Sequence, residues 1–254
     1  MVYWRWFKVT GFLTALFLCS CGEVPSSPRQ YSHQLIQETN VAQLLTQAQD
    51  IQKAEDFFHQ GNNWLNSHNY KEALAAYDKA IALKSKSADV WINRGNALNA
   101  LHQYQNAIAS YTKAITINPE KHEAWFNKGN VLTAIQRHKE ALAAYDKAIA
   151  IKPDKHEALI NRGITLTKLQ RYKEAIASYD QAVDLQPNKH EAYYNKACTY
   201  ALQNNVELTV ENLQIAIQLS PGKYEKLAKS DPDFQKVRDN ERFQELILLT
   251  EARV

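Results

Sequence analysis

Small and apolar residues recur along this chain at a fixed step of 34 positions. Tyr70–Leu83 reads YKEALAAYDKAIAL, and His138–Ile151 reads HKEALAAYDKAIAI, 68 residues later. Gly61, Gly95, Gly129 and Gly163 keep the step, with Ala197 in the fifth place. So do Ala73, Ala107, Ala141 and Ala175, then Tyr77, Tyr111, Tyr145 and Tyr179, then Ala80, Ala114, Ala148, Ala182 and Ala216. Pro119, Pro153, Pro187 and Pro221 close four of the periods, and Ser85 closes the first. Within a period the apolar spacing is that of a helix face, and Pro, which has no N–H, stops the second helix. Each period therefore predicts two antiparallel helices. Gly at the eighth position and Ala at the twentieth let them approach closely, and the aromatic residue at 24 with Ala at 27 is expected to fill the seam to the next hairpin. No such hairpin buries its apolar face alone, so the stack is the folding unit.

Five units follow, 54–87, 88–121, 122–155, 156–189 and 190–223. The last is degraded, with Thr209 in place of Ala and Leu213 in place of the aromatic residue. Residues 34–53 carry Leu35, Ile36, Val41, Leu44, Leu45, Ala48 and Ile51 at roughly helical spacing and read as a lead helix, expected to cap the first unit. Asp231-Pro232-Asp233-Phe234 supplies an acidic cap and a Pro in the first turn. Residues 224–254 are accordingly expected to be helices that shield the last unit. The fold class is all-α, an α-solenoid.

A 34-residue period of this kind resembles the tetratricopeptide repeat, which wants a large residue at position 4, small ones at 8, 20 and 27, an aromatic at 24 and Pro at 32. Position 4 here is Phe57, Trp91, Trp125, Leu159 and Tyr193. The resemblance covers residues 54–223 and implies a right-handed superhelix that binds proteins or peptides in a concave groove lined by the first helix of each hairpin. Positions 2, 5, 9, 12 and 13 usually face that groove, with position 6 beside them.

Two of these positions repeat an amide. Position 6 is Asn93, Asn127, Asn161 and Asn195 after His59, and position 9 is Asn62, Asn96 and Asn130 before Ile164 and Cys198. Residues three apart share a helix face, so these asparagines form a ladder. A carboxamide offers donors and an acceptor side by side and can pair with the backbone of an extended peptide whatever its side chains. The superhelix of protein O-GlcNAc transferases is similar and uses its asparagines so. The alternative is that the amides solvate the groove or bond locally. Position 5, with Phe58, Ile92, Phe126, Ile160 and Tyr194, reads mainly as packing.

The carboxylate clamp of chaperone-binding relatives is absent. Position 5 is apolar, and position 2 is acidic (Glu55, Asp89, Glu123, Glu157 and Glu191). A basic stripe at position 7, Arg94, Lys128, Arg162 and Lys196, reads as a solvated or snorkelling row, or as a surface for an acidic partner.

The first 20 residues form an export signal: Arg5 and Lys8 precede the short apolar run Val9–Leu18. Leu18-Cys19-Ser20-Cys21 resembles the bacterial lipobox, which implies cleavage before Cys21 and lipidation of Cys21. Residues 21–33, polar with two prolines, read as a tether. The expected location is exported, lipid-anchored to a bacterial membrane, with the body on the periplasmic or outer side.

Composition removes other classes. Without Arg5 and Lys8 the chain has 28 basic residues (30 less two) against 27 acidic ones, a balance that excludes the basic surface nucleic acid requires. Three cysteines, two of them N-terminal, permit no internal disulfide framework. His122, His156 and His190 repeat in KHEA, but packed helices lie about 8–10 Å apart, too far for one zinc with bonds of about 2.0–2.1 Å. They read as exposed helix-start residues, and Cys198 as a small residue filling space. No cofactor, metal or small-molecule substrate is expected, and the repeats and caps leave no room for a catalytic domain. The reading is a non-enzymatic scaffold, with an assembly factor for a membrane complex, such as a photosynthetic one, or a regulatory subunit of an enzyme as alternatives.

Overall fold

In the computed structural model the described backbone covers residues 28–83 and 86–251. The export signal and Cys21 lie outside it. Helix α1 spans Pro28–Asn66 and α2 spans Tyr70–Ala82. Three hairpins follow: α3 Ala88–Ala100 with α4 Tyr104–Ile117, α5 His122–Ala134 with α6 His138–Ile151, and α7 His156–Lys168 with α8 Tyr172–Leu185. Then come α9 His190–Leu202, α10 Val206–Leu219, α11 Tyr224–Ser230, a 3-10 turn at Pro232–Phe234 and α12 Glu241–Glu251. Among the described residues there is no strand.

Residues 1–52 and 53–254 form two units by their internal contacts, although α1 runs through the boundary. The first unit shows two departures from expectation. Residues 28–33, assigned to the tether, are helical from Pro28, a residue suited to a first helical position. The lead helix is not separate from the first hairpin but continuous with its first helix. Val41, Leu44, Leu45 and Ile51, expected to cap a hairpin, are 51, 63, 55 and 54% exposed.

In the second unit each hairpin closes on a contact between its eighth and twenty-fourth positions. A Cβ added to Gly61, Gly95 or Gly129 would lie 2.5, 2.5 or 2.6 Å from the ring of Tyr77, Tyr111 or Tyr145. Tyr therefore lies over the Gly of its own hairpin, a place the expected seam position did not assign to it. The ring still reaches the next unit, since Tyr111 shares a core cluster with Ala124 and Val131. In the fifth unit both partners change: Ala197 has the Cβ that Gly lacks, and the smaller Leu213 stands where Tyr would collide. The degraded pattern is a matched substitution.

Every hairpin turns through a left-handed residue at position 15: His68, His102, Gln136, Gln170 and Asn204, with φ of 57–61°. The next residue's N–H reaches back to close the first helix, as Gln103 N–H does to the Leu98 carbonyl at 2.8 Å. First helices of successive hairpins also pack on one another, α3 on α5, α5 on α7 and α7 on α9, which makes them the inner layer of the stack.

The two ends of the stack differ. Positions 3 and 10 meet the preceding unit and are buried in the later units as Val90, Ala124, Ala158 and Ala192, and as Ala97, Val131, Thr165 and Thr199. In the first hairpin they are the exposed polar residues Asp56 and Asn63. At the other end Phe234, Val237, Phe243 and Ile247 complete one cluster with Tyr194, Leu213 and Ile217, so the C-terminal segment covers the last hairpin.

Candidate functional site

Six of the asparagines at positions 6 and 9 are tied into the fold. Oδ1 of Asn62 accepts from the Tyr77 hydroxyl at 2.9 Å and from Nδ2 of Asn93 in the next unit at 2.8 Å. Oδ1 of Asn96 accepts likewise from Tyr111 at 2.8 Å and from Asn127 at 3.0 Å. Oδ1 of Asn130 accepts from Tyr145 and from Asn161, both at 2.9 Å. Position 9 thus joins its own second helix to the following first helix. Burial pushes the Tyr77 and Tyr145 hydroxyls up to about 12, so each keeps its proton and donates.

These ties consume one edge of each amide and leave the other. Position 6 spends an Nδ2 proton and keeps Oδ1; position 9 spends Oδ1 and keeps both protons of Nδ2. Oδ1 of Asn127 and of Asn161, and Nδ2 of Asn62 and of Asn130, have no partner within the described residues. Asn96 Nδ2 lies 3.5 Å from Asn93 Oδ1, a long contact. The remaining faces present an acceptor and a donor together.

Beyond the third unit the ladder changes chemistry. Ile164 replaces the amide, and Thr167 Oγ1 lies 3.3 Å from the Tyr179 hydroxyl and 2.9 Å from Thr199 Oγ1. Asn195, expected to extend the ladder, turns its Nδ2 back to the Glu191 carbonyl at 2.7 Å. The fifth unit is also occupied by the chain itself. The Tyr194 hydroxyl donates to Asp231 Oδ2 at 2.7 Å, and Cys198 Sγ lies 3.9 Å from the same oxygen. Asp233 meets Lys168 at 3.7 Å, and Lys236 Nζ donates to the Leu202 carbonyl at 2.6 Å. Positions 5, 9 and 13 of this unit therefore lie under the 231–236 segment.

Position 5 alternates: Ile92, Ile160 and Tyr194 are buried, whereas Phe58 and Phe126 are half-buried. Phe126 carries Lys155 Nζ at 4.6 Å above its ring, a cation–π contact.

A family model described as tetratricopeptide repeat matches residues 88–121, 122–155 and 156–189, and one described as TPR repeat matches residues 67–102. Residues 67–189 thus carry the match to the tetratricopeptide repeat. The solved structure titled "Crystal structure of YrrB: a TPR protein with an unusual peptide-binding site" superposes with a TM-score of 0.59 at 27% identity, covering 66% of this chain and 86% of that one. A MamA protein superposes at 0.62 with 19% identity, covering 70% and 96%. MamA from Desulfovibrio magneticus RS-1 superposes at 0.63 with 22% identity, covering 66% and 94%. No curated protein sequence matches the chain.

Within the tetratricopeptide stack the position-7 stripe is neither a solvated row nor a free surface. Arg94 Nε meets Asp78 of the preceding unit at 2.7 Å, and its Nη1 meets Ser110 at 2.8 Å. Arg162 repeats this with Asp146 at 2.7 Å and Ser178 at 2.6 Å, and Lys196 meets Asp180 at 2.6 Å. Lys128 is the exception, because Thr112 stands where the aspartate should be and turns its hydroxyl to the Ile108 carbonyl at 2.8 Å.

The histidines are a correction. They do start helices, but His156 is buried and His122 and His190 are half-buried. Burial, then Lys152 and Lys155, hold the His122 imidazole below its ordinary range against the pull of Glu123. Among the described residues no three potential ligands gather for a metal. Cys198 is buried, and burial followed by Asp231 pushes its thiol up, which keeps it protonated. Asp231 caps the terminal turn as expected, accepting from the Asp233 N–H at 3.0 Å, but its contact with Tyr194, 37 residues earlier, was missed because nothing local to its turn marks it.

Proposed function

We propose that the chain is a non-enzymatic adaptor that holds an extended peptide segment of a partner protein along the groove of its first four units. The observation that carries this is the acceptor and donor edges left over at the tied amides, most openly Asn127 Oδ1 and Asn130 Nδ2 of the third unit. Asn127 Oδ1 with Asn130 Nδ2 presents the complement of a peptide's own N–H and C=O. Fixed in place by their inner bonds, these amides need no reordering on binding, which lowers the entropic cost. Because the contacts address backbone, side-chain selection falls to the half-buried Phe58 and Phe126. The likeness to YrrB, a TPR protein with an unusual peptide-binding site, supports the reading.

The adaptor is further proposed to be tethered to a bacterial membrane through a lipidated Cys21, with its groove on the periplasmic or outer side. The support is the export signal and the four-residue lipobox resemblance. Among the described residues no helix is long and apolar enough to cross a membrane.

An array of extended peptides tests the groove. Peptides that bind lose affinity when their backbone nitrogens are methylated, and again when Asn93, Asn127 and Asn161 are all changed to Ala. Binding unaffected by both changes refutes backbone recognition. Mass spectrometry of the mature N-terminus tests the anchor; an unmodified Cys21 thiol there removes it.

A further inference from the structure

Position 5 of the stack alternates with a period of two units, not one. Phe58 and Phe126, in the first and third units, are half-buried, whereas Ile92 and Ile160, in the second and fourth, are buried. Each Phe stands one helical turn before an amide whose Nδ2 is unspent, Asn62 or Asn130, and residues four apart share a helix face. Each also packs on the tyrosine of its own unit in the same way. Phe58 lies 6.2 Å from Tyr77 between ring centroids, and Phe126 lies 6.1 Å from Tyr145. One aromatic seat is thus built twice on the amide face, with the buried Ile92 between the copies.

The distance between the seats sets what can use both. The bonds that join successive first helices repeat at 2.8, 3.0 and 2.9 Å, so the step from unit to unit is uniform. Packed helices lie about 8–10 Å apart, which places the seats about 16–20 Å apart. A strand rises about 3.2–3.4 Å per residue and returns to the same face every two residues. A polyproline-type chain rises about 3.1 Å and returns every three. Six residues span about 19–20 Å and bring a side chain back to the same face in either conformation. Five residues of strand turn the second side chain away, and four reach only about 13–14 Å.

The fifth unit shows that this face takes up chain in an extended conformation. Tyr194, at the position of Phe58 and Phe126, donates at 2.7 Å to Asp231, whose backbone is extended at φ −67° and ψ 121°. We infer that the partner segment carries two large apolar side chains six residues apart, one seated on Phe58 and one on Phe126. This rests on the backbone reading above and adds the sequence that the partner must present. Lys155 Nζ, 4.6 Å above the Phe126 ring, has its charge met by Glu157 at 3.8 Å, so that seat asks for no charge.

Fluorescence anisotropy of the full chain in nonionic detergent tests the spacing, with short labelled peptides of Ser and Thr carrying two leucines. Leucines at i and i+6 are expected to bind about tenfold or more tighter than leucines at i and i+5, at i and i+7, or a single leucine, the effect of seating one more apolar side chain. Phe58→Ala or Phe126→Ala, each checked for folding by circular dichroism, should reduce the i,i+6 peptide to the affinity of the single-leucine peptide. The spacing series on the wild type needs no variant and decides by itself. Equal binding at all spacings, still weakened by methylation of the peptide nitrogens, overturns the two-seat register and leaves backbone recognition standing. No binding of any of these peptides up to about 1 mM overturns both.

Discussion

Gly95→Ala asks whether the ring of Tyr111 has anywhere to go. The added methyl would lie 2.5 Å from Tyr111 Cε1, 2.8 Å from Cδ1 and 2.9 Å from Cζ, so ring or helix must move by about 1 Å to reach a carbon contact of about 3.5–4.0 Å. The ring is 1% exposed, and its hydroxyl is held at 2.8 Å by Asn96. Overpacking of this kind costs about 1–3 kcal/mol, and Ala in place of a helical Gly returns about 0.8–1.0 kcal/mol. The expected net loss is about 1 kcal/mol, seen as a fall of about 2–4 °C in the melting midpoint. Tyr111→Leu alone leaves a cavity and strips Asn96 of a donor, for about 2–4 kcal/mol. Combined, the two changes copy the Ala197–Leu213 pair, and the methyl then fills space the ring has left. The double variant should be more stable than the sum of the single losses by about 1–3 kcal/mol. Thermal and urea unfolding followed by circular dichroism reads all three. Gly95→Ala at or above wild-type stability, or strictly additive losses, would refute the lock.

Thr112→Asp should supply the missing partner of Lys128 and raise stability by about 0.5 kcal/mol; a cycle with Lys128→Met should abolish the gain, as should about 1 M salt. Gln136→Gly relieves a non-glycine residue at φ 61° and should stabilise by about 1 kcal/mol, read as a higher urea midpoint. The His122 imidazole is held low in the fold, so the unfolded chain binds its proton first. Its contribution is complete above the ordinary histidine range and is lost as pH falls through that range to the folded value. His122→Gln should flatten that part of the stability–pH curve, and an unchanged slope would show that His122 is not its source.

The solenoid was legible because its rules are local and repeat: a glycine, an alanine, an aromatic and a proline at fixed steps. What the sequence did not disclose is how each amide is spent, since the pairing Asn93–Asn62 crosses 31 residues and depends on how one hairpin sits on the next. The left-handed turn residue was hidden for another reason. Four of the five positions hold His or Gln, types that carry no turn signal, and the conformation is imposed by the packing of both helices rather than by local preference. The stripe at position 7 looked like surface because its aspartates lie one unit earlier. The histidines looked exposed because a helix start is normally wet, whereas His122 lies beside Lys152 and Lys155 at the end of its unit and His190 against Tyr224.

Both ends of the stack are finished, and this sets what copies of it can do end to end. A hairpin array with a bare apolar face at each end offers a head that fits every tail, a contact that never closes and therefore grows into filaments. Here the head presents Asp56 and Asn63, and the tail is sealed by the cluster around Phe234. The tail therefore offers no bare apolar face for the head of another copy, although Trp64 stays 37% exposed at the head where later units bury Leu98, Leu132 and Leu166. Removing the residues after Lys223 would undo one seal and expose Leu213 and Ile217, converting a finite particle into one whose tail is adhesive.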